Sequence, residues 1–347
     1  MIERVKKVRE VLEEKGLSAL VVTKIENVRY MSGFSGSSAV GVVTPANVYL
    51  VTDSRYHEQA VKEAPSWELL IYAGDLAEAV ASLLPHRGAI GFETSIIFEM
   101  HRKLDAALAG GASLRPTENL VEKLRACKDP SEIVLIRAAI TCARRAYEQV
   151  LPLIQPGVTE RALAAELDYR MMLAGADGPA FDTVVASGPN SSLPHAGITD
   201  RALAEGDLVV IDFGAIKDGY CSDISRTLVT GEQDTRQREV IDALKTAQQH
   251  AISSLRPGLP ARDADSAARE ALREAGMDEY FTHSLGHGVG LEVHERPTLA
   301  ARSEETLEAG MVFTVEPGIY IEGWGGARLE EMVLLAAGRV VVLTEGV

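Results

Sequence analysis

The sequence has no run of lysine or arginine, and its 35 basic residues are outnumbered by 50 acidic ones, for a formal net charge of -15. Such a chain repels a phosphate backbone or an anionic membrane surface, so neither nucleic acid nor a membrane is an expected partner. Cysteine is scarce: Cys127, Cys142 and Cys221 are odd in number, far apart and free of any C-x-x-C pairing. That argues against a disulfide framework or a thiolate metal cluster and points to a reducing, cytoplasmic location. Long apolar runs are missing too; the strongest, Leu208 to Ile216, contains Asp212 and is far too short to cross a bilayer. No signal peptide is indicated, because Met1 to Gly16 sets Ile2, Val5, Val8, Val11 and Leu12 at helical spacing among charges, the pattern of an amphipathic helix. No low-complexity segment or repeat of roughly 20 to 50 residues stands out, although the carboxy-terminal part has room for a structural repeat whose sequences have diverged.

What is present is an ordinary globular composition, 46% hydrophobic and 24% charged, over 347 residues, which is more than one core needs. Two domains are expected. In the first, short β-rich runs (Ala19 to Thr23, Ala39 to Val43, Val48 to Thr52, Gly88 to Glu93) alternate with helical stretches (Arg55 to Glu63, Asp75 to Leu84, Ile97 to Leu108). A loop containing Pro116 then closes a small α/β domain over residues 1–119. A linker over 120–129, with a connecting helix from Leu120 to Cys127, leads to Asp129-Pro130-Ser131-Glu132, which opens a long helix. The second domain, 130–347, reads as α+β. Helices at Glu160 to Ala174, Asp234 to Leu255 and Ala261 to Ala275 are interspersed with strands at Phe181 to Ala186, Met311 to Glu316, Ala327 to Leu335 and Val340 to Leu343. Its clearest feature is a hairpin, Leu208 to Ala215 and Tyr220 to Val229, joined by Ile216-Lys217-Asp218-Gly219.

That hairpin carries two acids among apolar neighbours, Asp212 in VVIDFG and Asp223 in YCSDIS. With the turn centred near Lys217-Asp218 they face one another, and like charges at that distance need a cation between them or a shared proton. Either acid alone would also suit a turn cap or a surface ion pair. Three more ligand-type residues sit in constrained settings: His287 between glycines, Glu316 before Pro317-Gly318, and Glu330 in the strand RLEEMV. Each has a local structural role open to it, such as accepting turn donors for Glu316. Glu330 competes with Glu331, since strand neighbours point to opposite faces; we assign the inward position to Glu330.

The ordered set Asp212, Asp223, His287, Glu316 and Glu330, with these flanking residues, resembles the metal site of the pita-bread (creatinase-like) metallopeptidases. That family contains methionine aminopeptidase, aminopeptidase P, prolidase and the metal-free creatinase. The likeness covers Pro130 to Val347, and residues 1 to about 119 resemble, more loosely, the amino-terminal domain of the prolidase, aminopeptidase P and creatinase branch. It implies a curved antiparallel sheet covered by helices, a homodimer, and two divalent ions, whose charge four carboxylates would balance; Mn, Co and Zn all suit the donor set. It also implies that Asp223 and Glu330 bridge the ions, that Asp212 completes one shell, and that His287 with Glu316 completes the other.

The resemblance extends to His195 in NSSLPHA, His283 in THSLGH and His294 in LEVHERP. It places His294 and His195 at the substrate carbonyl or the proline side and His283 against the proline pocket, work that suits a donor still partly neutral at working pH. Arg328, two residues before Glu330, would orient that carboxylate or the substrate. The implied reaction is hydrolysis of the bond before proline, with Glu316 carrying a proton to the proline nitrogen. An Xaa-Pro dipeptidase is expected, its substrates Xaa-Pro dipeptides or short peptides with proline second, ahead of an aminopeptidase P acting on longer chains. Preference for dipeptides needs a group that captures the proline carboxylate, for which Arg29, Arg55 and His57 are candidates. The intact ligand set argues against a catalytically silent binding module of the same fold and against creatinase. His294-Glu295 does not continue into H-E-x-x-H, Gly286-x-Gly288-x-Gly290 lacks the dinucleotide spacing, and Ser35, Ser37 and Ser38 form no nucleophile elbow.

Overall fold

The computed structural model describes residues 2–108 and 110–347, which fall into two units, Met1–Arg125 and Ala126–Val347. In the first unit α1 (Ile2–Glu14) buries Val5, Val8 and Leu12, residues whose helical spacing marks it in the sequence. The chain continues through β1 (Leu17–Val22), α2 (Ile25–Ser32), β2 (Val40–Val43), β3 (Val48–Thr52), α3 (His57–Glu63), β4 (Glu68–Ile71), α4 (Leu76–Ala81) and β5 (Gly88–Glu93). It ends with α5 (Phe98–Ala107), β6 (Ala112–Thr117) and α6 (Leu120–Ala126). The strands form one mixed sheet in the order β4-β3-β2-β1-β5-β6. Where a loop was expected around Pro116 there is a strand, β6. It lies at the sheet edge and, among the described residues, pairs with β5 alone, the position that tolerates a residue without an N–H. The α6 helix buries Leu120 and Val121, and the buried Arg125 donates to Asn27 Oδ1 at 2.8 Å.

The second unit opens with α7 (Pro130–Val150). The Asp129 carboxylate accepts from the backbone of Ser131 and Glu132, Glu132 returns a bond to Asp129 N, and Pro130 occupies a first-turn position that needs no N–H. Next come α8 (Glu160–Leu173), β7 (Gly178–Pro179), β8 (Val184–Ser187), β9 (Leu208–Phe213), β10 (Ala215–Lys217), β11 (Tyr220–Cys221) and β12 (Ile224–Val229). A second capping box at Asp234 starts α9 (Thr235–Ser254), followed by α10 (Ala261–Glu274), β13 (Gly286–Gly288), β14 (Glu295–Leu299) and β15 (Val312–Val315). The chain closes with β16 (Gly318–Ile321), β17 (Gly325–Arg328), β18 (Glu331–Ala336) and β19 (Arg339–Val342).

This order is a duplication. Each half has two helices and then an antiparallel ladder whose strands are linked through a small hairpin: β9 with β12 around β10–β11, and β15 with β18 around β16–β17. The joint before each second helix repeats bond for bond. Gly157 N donates to Leu203 O and Leu203 N to Val158 O; Gly258 N donates to Leu307 O and Leu307 N to Leu259 O. The halves keep separate cores, one around Tyr147, Leu167 and Phe213, the other around Leu244, Leu272 and Phe313.

Two local expectations are corrected. The hairpin turn is centred on Asp218-Gly219, whose positive φ angles of 48° and 78° close the Lys217–Tyr220 pair. Asp212 therefore lies opposite Ser225, with Asp223 diagonal to it, two residues further toward the turn. The expected continuous strand from Ala327 to Leu335 is broken after Arg328, because the chain leaves β16 as partner and takes up β15 from Glu331 onward. Glu330 sits in that break, not within a strand.

Candidate metal centre

The duplicated ladder explains where the acids fall. Asp212 lies near the end of β9 and Glu316 directly after β15; Asp223 directly precedes β12 and Glu330 directly precedes β18. His287 is the middle residue of β13. A Cβ at Gly286 would stand 2.0 Å from Thr314 O, and one at Gly288 would stand 2.0 Å from Arg296 O, so only glycine lets β13 approach its neighbours this closely. That close approach is why the histidine is flanked by glycines.

Donor atoms of Asp223, His287 and Glu330 lie within 4.8 Å of one another. His287 Nε2 is 3.6 Å from Asp223 Oδ2 and 3.2 Å from Glu316 Oε1. Its Nδ1 lies 3.2 Å from Gly288 O, and because a carbonyl only accepts, Nδ1 carries a proton and Nε2 is the nitrogen that faces the acids. Thr314 Oγ1 donates to Glu316 Oε1 at 3.0 Å and accepts from His287 N at 3.1 Å, tying β15 to β13. Arg328 is almost wholly buried. It donates through Nη2 to Asp212 Oδ2 at 2.6 Å, through Nε to Ser225 Oγ at 2.8 Å, and through Nη1 to Tyr320 Oη at 2.7 Å and Pro194 O at 3.2 Å. The carboxylate it orients is thus Asp212, not Glu330 as its sequence spacing suggested. Glu331 turns away from the cluster to Arg226, at 3.2 Å, and to Thr344.

Burial, then the charges of neighbouring carboxylates, push Asp223 and Glu330 well above the ordinary carboxylate range. Burial also opposes ionisation of Glu316 and His287, but each stabilises the other's charge, so Glu316 ends below and His287 above its usual value. Among the described residues, Asp212 Oδ1 and Glu330 Oε1 are buried and meet no hydrogen-bond partner. Leaving such atoms bare is costly, and a divalent cation answers the need for both at once. The residues fit a metal.

Around this cluster stand the three other histidines. His294 is exposed, with its ring centroid 4.1 Å from that of His287; desolvation and then the His287 charge lower its pKa. His283 donates from Nδ1 to Ser284 O at 2.8 Å, which leaves Nε2 to accept from Tyr320 Oη at 3.1 Å, and burial lowers its pKa. His195 is exposed, and its charge depresses both His283 and His294, which sets the three imidazoles in one region. Tyr320 was not anticipated from the sequence. Burial pushes its phenol up to about 12, so it keeps the proton it offers His283. The available signal was the glycine two residues earlier: a Cβ on Gly318 would lie 2.5 Å from Tyr320 Oη, so the ring folds across a position that must stay bare. In the first unit Arg55 is exposed and paired with Asp53 at 2.8 Å.

These features are those of a metallopeptidase. The chain belongs to metallopeptidase family M24: the family model matches residues 134–337, and the model for the creatinase/prolidase amino-terminal domain matches residues 4–127. It is 36% identical to the Xaa-Pro dipeptidase of Pyrococcus furiosus, over 99% of this chain and 98% of that one. It superimposes on the solved Xaa-Pro dipeptidase from Bacillus anthracis with a TM-score of 0.96 at 38% identity, covering 100% of this chain and 98% of the other. For the X-Pro aminopeptidase from Thermotoga maritima the TM-score is 0.87, also at 38% identity, covering 94% and 95%. The fold is the expected one, a small α/β unit followed by a pita-bread unit.

Proposed function

We propose that this chain hydrolyses the bond before proline in Xaa-Pro dipeptides, using two divalent ions held by Asp212, Asp223, His287, Glu316 and Glu330. The observation that carries the reading is the buried acid cluster with two bare carboxylate oxygens, in a chain that matches Xaa-Pro dipeptidases over nearly its whole length. When bound, the ions acidify a water and polarise the scissile carbonyl. Asp223, Glu330, His287 and Glu316 would hold the ions together with Asp212, whose carboxylate Arg328 grips at 2.6 Å. Glu316, bonded to Thr314 and His287, accepts a proton from the attacking water and passes it to the proline nitrogen, which cannot leave unprotonated. His294 keeps a neutral ring with one N–H to offer the carbonyl oxygen as charge builds there. His195 and His283 contact the proline side of the substrate. The ions are manganese, cobalt or zinc, and the protein works in the cytoplasm as a homodimer.

A second reading, an Xaa-Pro aminopeptidase acting on longer peptides, is favoured by the likeness to the Thermotoga protein. The test is an activity panel on metal-stripped protein reloaded separately with Mn²⁺, Co²⁺ or Zn²⁺, comparing Gly-Pro and Ala-Pro with Ala-Pro-Ala. Cleavage of the dipeptides alone is expected. Preference for the tripeptide selects the second reading, and no hydrolysis of any substrate with any metal overturns both.

A further inference from the structure

We infer that Arg269, seated on Asp265, is a positioning residue for this site: it holds the backbone that carries His283 and that receives the amide of Glu316. The inference rests on the peptidase reading above. Both residues lie on α10, with the Asp265 side chain completely buried. The guanidinium takes the carboxylate with two N–H groups, Nε to Oδ2 at 2.8 Å and Nη2 to Oδ1 at 3.2 Å. It then donates Nη1 to Phe281 O at 2.9 Å and Nη2 to His283 O at 2.5 Å, and its face lies 4.3 Å from the centroid of the Phe281 ring. Asp265 Oδ1 also accepts from Leu285 N at 3.1 Å.

Phe281 to Leu285 belong to no strand, so the carbonyls of Phe281 and His283 have no ladder to hold them. The segment leads straight into the site. Leu285 O accepts from Glu316 N at 2.8 Å, and the His283 ring is pinned between Ser284 O and Tyr320 Oη. The fold itself does not require the ion pair. The matching joints at Gly157 and Gly258 make Ala164 and Asp168 on α8 the counterparts of Asp265 and Arg269, and there Asp168 meets the following segment through one hydrogen bond accepted from Thr183 Oγ1 at 2.5 Å, with no ion pair among the described residues. What distinguishes the second half is the segment that bears His283. Four N–H bonds in a fixed fork are also a task that lysine cannot perform.

The test is Arg269→Lys, compared with Leu167→Ala, a core truncation in the other half that loses stability without touching the segment. Both are assayed at a temperature where circular dichroism shows them folded. Arg269→Lys is expected to lose about 10- to 100-fold in kcat/KM on an Xaa-Pro dipeptide, the scale of a small misplacement, while Leu167→Ala stays near wild type. Imidazole ¹⁵N spectra of the metal-free proteins should show one His283 tautomer in the wild type and an exchanging mixture in Arg269→Lys. Wild-type kinetics with a single tautomer in Arg269→Lys overturn the inference, as does a loss no greater than that of Leu167→Ala with the tautomer unchanged. Should Arg269→Lys not fold, the double variant Asp265→Leu/Arg269→Met removes both charges together and leaves neither bare; wild-type kinetics there overturn the inference, and a loss on the same scale supports it. Should the wild type cleave no Xaa-Pro bond, the tautomer spectra decide the role of Arg269 on their own.

Discussion

A carboxylate buried beside other carboxylates persists either protonated or bound to a cation, and Asp223 and Glu330 face that choice. Asp223→Asn or Glu330→Gln should therefore abolish turnover and cut bound metal below two ions per chain while circular dichroism stays native; wild-type activity in either would refute the assignment. Glu331→Gln tests the neighbouring glutamate. It loses only the contacts to Arg226 and Thr344, so stability should fall by about 1 kcal/mol while activity stays within a few fold. In the proposed reaction His294 acts on the oxygen that becomes negative, so His294→Ala should lower kcat by about 10²- to 10³-fold with metal content unchanged. A raised KM at unchanged kcat would make it a ground-state contact instead. At this scale the four acids and the imidazole stood out as ligand candidates because a ligand-type residue among apolar or glycine neighbours is conspicuous on its own. Arg269 was not legible, since an arginine on an amphipathic helix carries no mark of the partner it meets, and Tyr320 had only Gly318 to point to it, a glycine that a turn after Pro317 explains as well.

Helices with self-contained signals were easiest to read from the sequence. Asp129-Pro130 and Asp234 bring their own caps, and α7 and α9 begin within a residue of where those caps predict. Strands were harder, because what makes a strand is the neighbour it pairs with. β6 was passed over for its proline, which an edge position tolerates, and β17 and β18 were taken as one strand because no local pattern records a change of partner. The glycines around His287 carry a testable structural demand. Gly286→Ala should lower stability by about 1–3 kcal/mol or more, read as a lower urea midpoint, because its Cβ would meet Thr314 O at 2.0 Å. Gly197→Ala, with nothing within 4 Å of the added carbon, should leave the midpoint nearly unchanged. Equal effects would mean that β13 can yield without cost.

For the whole molecule, the proposed metal centre draws Asp212 and Asp223 from the first half of the second unit and His287, Glu316 and Glu330 from the other, so an ion bound there would cross-link two separate cores. Adding metal at about a hundredfold over its Kd should stabilise the stripped protein by about 2.7 kcal/mol, seen as a rise in Tm that chelator reverses and Glu330→Gln largely abolishes. An unchanged Tm would mean that no ion joins the halves. The sequence left room for a diverged repeat but could not show it, because VVIDFG and FTVEPG share their geometry but few of their letters. By itself the sequence determined the family, the capped helices and the hairpin, and it singled out the candidate ligands and their order, all of which are encoded within a few neighbouring residues. Tertiary structure alone decided that Glu330 sits in a strand break, that Arg328 serves Asp212, that Tyr320 fixes His283 and that Arg269 holds the segment behind it. Most of these contacts join residues far apart in the chain, and no short-range pattern can specify which distant donor meets which acceptor until the halves have packed.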